Sequence, residues 1–85
     1  MVQKIILGVR LKHRNNSAPN LQELLTRHGC VIRTRIGLHE VSDNACSPSG
    51  TIILELHGPA ENTQALEDEL RTCSDLVIQK MVFEI

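Results

Sequence analysis

Eighty-five residues with a net charge of −1 and interspersed acids and bases make a single domain with no broad basic footprint for nucleic acid or a membrane surface. One aromatic residue, Phe83, is too few for a base-stacking surface. Cys30, Cys46 and Cys73 are odd in number, widely spaced and without a C-x-x-C pair, which fits reduced thiols in the cytoplasm.

Residues 3–11 alternate. Ile5, Leu7, Val9 and Leu11 share one side, and Lys4, Ile6, Gly8 and Arg10 share the other, as in a strand with one buried face. The run Ile5-Ile6-Leu7 is far too short to span a membrane or to form the core of a signal peptide. A polar stretch through Asn15-Asn16-Ser17 leads to a helix predicted over residues 18–28, with Pro19 in its first turn and Gly29 as its stop. Leu21, Leu24, Leu25 and His28 share one face of that helix.

A second strand is predicted over 30–39, with Ile32, Ile36 and Leu38 opposite Arg33, Arg35 and Gly37. Residues 40–49, rich in Ser, Asp, Asn and Pro, read as a long loop. The third strand, 51–57, repeats the first in miniature, since Ile52-Ile53-Leu54 echoes Ile5-Ile6-Leu7. Gly58-Pro59 breaks it and opens a second helix over 60–73, with Leu66, Leu70 and Cys73 on one face and Glu61, Glu67, Asp68 and Glu69 mostly outward. The last strand, 76–85, is read with Val77, Met81, Phe83 and Ile85 inward and Ile78, Lys80, Val82 and Glu84 outward.

The order β-α-β-β-α-β defines an α+β, ferredoxin-like sandwich, a four-stranded antiparallel sheet with two helices on one face. The other face is bare in a monomer. On the inward and outward assignments above, it carries an aliphatic patch of Ile6, Ile53, Ile78 and Val82, rimmed by Arg33, Arg35, Lys80 and Glu84. An apolar centre with a charged rim is the anatomy of an interface, so the expectation is a homodimer or a dimer of dimers with Ile53 near its centre.

The fold hosts many functions, and the residues must choose among them. An RNA-recognition module would need aromatics where Ile6, Gly8, Ile53 and Glu55 stand. A metallochaperone would need C-x-x-C where Lys12-His13-Arg14 stands, and an acylphosphatase-like enzyme a glycine loop around Arg14. No nucleophile elbow, Walker loop or paired carboxylates are visible, so no enzymatic activity is expected. His39, His57 and Cys46 are competent ligands for a transition metal such as nickel or zinc. They form the alternative reading, although their spacing matches no tight motif, and no other cofactor is expected.

Arg33-Thr34-Arg35-Ile36-Gly37-Leu38, the long stretch ending near Gly50, Ile52-Ile53-Leu54 and Leu66-Glu67-Asp68-Glu69-Leu70 together resemble a stand-alone ACT-like domain. Within that class the chain is similar to the iron-only hydrogenase system regulators, short chains that consist of little more than this unit. The resemblance implies a non-enzymatic regulatory module acting by self-association and on a small-molecule effector or partner protein, in a hydrogenase system. More distantly, residues 35–58 resemble the metal-binding domain of the nickel-responsive regulator, whose H-x-H on the second strand here reads Gly37-Leu38-His39. Cys46 stands near that family's loop cysteine, and its DNA-binding ribbon-helix-helix has no counterpart before the first strand.

Overall fold

The computed structural model describes the backbone of residues 3–12, 14–41 and 46–85, and the side chains of residues 3–12, 20–38 and 50–85. The chain runs β1 (Gln3–Leu11), α1 (Arg14–Arg27), a 3-10 turn (Gly29–Val31), β2 (Ile32–Val41), β3 (Cys46–Leu56), α2 (Ala60–Arg71) and β4 (Leu76–Glu84). The sheet is antiparallel in the order β2-β3-β1-β4. This is the β-α-β-β-α-β sandwich expected from the sequence, with β1 and β3 at the centre.

The core lies between the sheet and the helices and is built mostly of leucine. Leu7, Val9 and Leu11 of β1 and Leu54 and Leu56 of β3 meet Leu21, Leu24 and Leu25 of α1 and Leu66 and Leu70 of α2, all of them buried. Complete burial of each such side chain stabilises the fold by about 1.5–3 kcal/mol relative to exposure. On α2 the buried positions are Thr63, Leu66, Glu67 and Leu70, a stripe spaced i, i+3, i+4 and i+7. Glu67, expected outward, therefore lies on the inner stripe.

The register of β4 overturns its expected facing. Ile5, Leu7, Val9 and Leu11, the inner side of β1, pair with Val82, Lys80, Ile78 and Leu76. Paired residues share a sheet face, so these four point toward the helices, and Glu84, opposite Gln3, shares their side. Leu76 and Ile78 pack against the core, and Lys80 reaches Glu67 of α2. Val77, Met81 and Phe83 face the open side instead. The run Leu-Val-Ile-Gln-Lys-Met-Val-Phe is apolar in both phases, so alternation alone could not choose between them.

β2 is corrected in the same way. Ile36 and Leu38 pair with Ile53 and Thr51 on the open face, while Arg35 and Gly37 pair with Leu54 and Ile52 on the helix face. A bulge between Ile32 and Thr34 makes the change of phase, so Ile32 still packs on the core. Arg35 donates to the Gln22 side chain on α1.

Most of the loop expected over 40–49 is strand. β2 continues to Val41 and β3 begins at Cys46, which pairs with Val41. Pro48 lies beyond Gly50, the last residue of β3 that pairs with β1 among the described residues, where its missing N–H is tolerated. α1 starts at Arg14, so Asn15-Asn16-Ser17 belong to the helix rather than to its cap. Gly29 opens the 3-10 turn, and the one glycine with positive φ among the described residues is Gly58, at 109°.

Candidate functional site

Two surfaces stand out: the open sheet face, and a cleft where β3 turns into α2.

The open face is a grid fixed by strand register. One row reads Leu38, Thr51, Arg10 and Val77 across β2, β3, β1 and β4; the next reads Ile36, Ile53, Gly8 and Gln79. The third reads Thr34, Glu55, Ile6 and Met81, and Lys4 and Phe83 follow on β1 and β4. Among the described residues, five of the seven exposed large apolar side chains, Ile36, Leu38, Val77, Met81 and Phe83, lie here; the other two are Val82, on the helix side, and Ile85, beyond the end of β4. The face is thus wider than the sequence suggested. It holds Ile6 and Ile53 as expected, whereas Ile78 and Val82 sit on the helix side.

Two sets of polar groups on this face are joined across strands. Lys4 forms an ion pair with Glu55, which also accepts a hydrogen bond of 2.8 Å from the Thr34 hydroxyl. These two donors, Lys4 first, hold the Glu55 carboxyl below its ordinary range. Arg10 Nη1 donates to Thr51 Oγ1 at 3.3 Å, directly across the β1–β3 pair.

The cleft has a volume of about 390 Å³ and is lined by Gln3, Ile5, Leu56, His57, Gly58, Pro59, Ala60 and Thr63. Its shape depends on Gly58, whose positive φ turns the chain from strand to helix. A β-carbon there would stand 3.6 Å from Val31 Cγ1, and the His57 amide is anchored to the Val31 carbonyl at 2.9 Å. Pro59 occupies the cap position, and its carbonyl accepts from the amides of Asn62 and Thr63. The buried Thr63 hydroxyl donates to the Ala60 carbonyl at 3.1 Å. The walls are apolar, with Gln3 and His57 as the side chains able to make hydrogen bonds to a guest. Only Gly58-Pro59 hinted at this cleft in the sequence, because Gln3 and Ile5 reach it through the β1–β3 pairing.

The expected metal ligands do not come together in one chain. His39 is paired with Gly50, and Val41 with Cys46, at one end of the β2–β3 hairpin, while His57 follows the other end of β3. Seven residues of strand, roughly 24 Å at about 3.4 Å each, separate Gly50 from His57. A shared ion requires ligand atoms within about 2.0–2.3 Å of it. Antiparallel pairing is the cause, since the carboxyl-terminal ends of the neighbouring strands β2 and β3 point in opposite directions. The side chains of His39 and Cys46 lie outside the described side chains. Among the described residues no group of three His, Cys, Asp or Glu is placed to hold a metal ion.

No family model matches the chain. No curated protein matches it either. Solved structures do. An uncharacterized protein of Thermotoga maritima superposes with a TM-score of 0.79 at 20% identity, over 98% of this chain and 100% of that one. The ACT domain of a GTP pyrophosphokinase of Chlorobium tepidum gives a TM-score of 0.65 at 14% identity, over 95% of this chain and 89% of that one. A nitrogen regulatory PII-like protein of Thiomonas intermedia, solved with ADP, AMP and bicarbonate, gives 0.63 at 14% identity, over 99% and 96%. The chain therefore has the ferredoxin-like fold of ACT domains and PII-like proteins.

Proposed function

We propose that this chain is a non-enzymatic regulatory module of ACT-like type that senses a small polar ligand and reports it to a partner protein. The observation that carries the reading is the cleft at the β3–α2 turn, in a fold shared with an ACT domain and a nucleotide-bound PII-like protein. Its volume lies at the low end of the range for small-molecule sites, enough for an amino acid or a nucleoside fragment. Apolar walls with His57 and Gln3 at the mouth suit a ligand with one apolar body and one polar end. The amino end of α2 beside Pro59 favours an anionic group there. Regulation of an iron-only hydrogenase system is the physiological setting that the sequence resemblance suggests.

The test is a thermal-shift series with single amino acids, adenine nucleotides and bicarbonate. A ligand present at 100 times its Kd raises stability by about 2.7 kcal/mol, a shift of many degrees in a domain this small. The reading expects one of these classes to act, and His57→Ala to weaken the effect. Silence from all three classes at millimolar concentration overturns it.

A further inference from the structure

We infer that the open sheet face is the docking surface for a second copy of this chain, stacked face to face with Ile53 of each copy seated over Gly8 of the other. The inference stands on the face itself and not on ligand sensing.

Gly8 is the first observation. It sits in the middle of β1, paired with Ile53 on one side and Gln79 on the other. Its φ is not positive, so the backbone does not demand glycine. A β-carbon built there would meet nothing nearer than 4.0 Å, from Gln79 Cβ and Ile53 Cδ1. The monomer thus has room for a side chain at the centre of its central strand and carries none, although glycine weakens a strand interior. Such a glycine marks the close approach of something from outside.

The second observation is that the dent and its filler are neighbours in one row. The sheet order β2-β3-β1-β4 has its midline between β3 and β1. A two-fold axis along that midline, lying between two stacked faces, exchanges β3 with β1 and β2 with β4. It places Ile53 over the partner copy's Gly8 and Leu38 over its Val77. Both contacts occur twice, as an isologous interface requires. Stacked sheets stand about 10 Å apart and cross near −30°, which leaves the central contact in place while the outer rows shift.

The third observation is charge and area. Lys4 and Glu55 neutralise each other, Thr34 bonds to Glu55, and Arg10 keeps its charge while donating to Thr51, so the face carries one ion pair and one hydrogen-bonded cation. With Lys4 and Arg10 against Glu55, the face also offers no strong field to an oppositely charged partner. Four strands about 4.8 Å apart and seven residues of about 3.4 Å give roughly 450 Å² of projected face per copy. Two copies bury on the order of 1,000 Å², the lower bound of specific interfaces, which matches a reversible dimer.

Analytical ultracentrifugation of the full chain tests this with two variants. Gly8→Val suits the strand and its β-carbon meets nothing nearer than 4.0 Å, so its fold should be unharmed by far-ultraviolet circular dichroism and melting at low concentration. It should still raise the dimer dissociation constant at least tenfold. Met81→Lys, on the exposed edge strand, should do the same. Three outcomes overturn the inference: a wild-type monomer at about 100 μM, a dimer indifferent to both variants, which would mean association along a strand edge, and a mass gained only with a different protein.

Discussion

Lys80 Nζ lies 2.8 Å from Glu67 Oε1, and this pair ties the edge strand β4 to the inner stripe of α2. Arg71 holds the second oxygen of the same carboxylate, Nε to Oε2, at 2.9 Å. Burial works against the charged form of Glu67, but hydrogen bonds from Lys80 and then Arg71 outweigh it and hold the carboxyl below its ordinary value. An inward-pointing cation on an edge strand also discourages sheet extension from that edge.

A group whose pKa is depressed by folding adds stability above its unfolded value, about 4.3 for glutamate, and loses it as pH falls through the folded value. Lys80→Met should therefore cost about 1–3 kcal/mol at neutral pH, where it leaves a mostly buried carboxylate with one partner fewer. The gap from wild type should narrow at acid pH, as the pH falls through the depressed folded value and Glu67 takes up its proton in both. Urea denaturation at the two pH values measures it. An equal gap at both would show that lost alkyl packing, not the ion pair, is the cause.

Glycine at the β3–α2 turn is required, and glycine after α1 is not. Gly58 has φ of 109° with Val31 behind it, whereas a β-carbon on Gly29 would meet nothing within 4 Å. Gly58→Ala should cost roughly 1–2 kcal/mol. Gly29→Ala should stay within about 0.5 kcal/mol of wild type. Thermal melts of the pair should differ by several degrees, and equal melting temperatures would remove the turn from its place as the hinge of the cleft.

The element order was legible because β1, α2 and the Gly58-Pro59 break carry clean periods and punctuation. β1 has the bounds expected, and Leu66 and Leu70 are buried as expected. The facing of the edge strands was not legible. β4 has apolar residues in both phases, and β2 hides a bulge after Ile32, so only pairing with β1 and β3 decides which side enters the core. The polar, proline-bearing stretch after residue 41 read as loop because nothing in composition reveals that β3 outruns β1 there. Glu67 was legible in principle, since Thr63, Leu66 and Leu70 frame it at helical spacing. The cleft was not, because its walls come from residues more than fifty positions apart.

Metal titration follows from the hairpin geometry. His57 stands roughly 24 Å of strand from the residue opposite His39, so the two cannot share an ion within one chain. Dialysed protein titrated with Ni²⁺ or Zn²⁺ should show the same binding, strong or weak, in wild type and in His57→Ala. Isothermal calorimetry is the measurement. A one-to-one site that vanishes in His57→Ala in dilute, monomeric protein would overturn the hairpin register.

Neighbouring positions on one strand should separate folding from association. Leu54 is fully buried against the helices, while the adjacent Ile53 faces the open side beside Ile36, which is 49% exposed. Leu54→Ala should destabilise the chain by about 2–5 kcal/mol at every protein concentration, because it leaves a cavity in the core. Ile36→Ala should cost under about 1 kcal/mol in dilute protein, where the side chain already meets water. Stability linked to self-association rises with concentration. The wild-type urea midpoint should therefore increase between about 1 and 100 μM, and Ile36→Ala should flatten that increase. A wild-type midpoint independent of concentration would leave Ile36 as an ordinary surface residue and the open face to water.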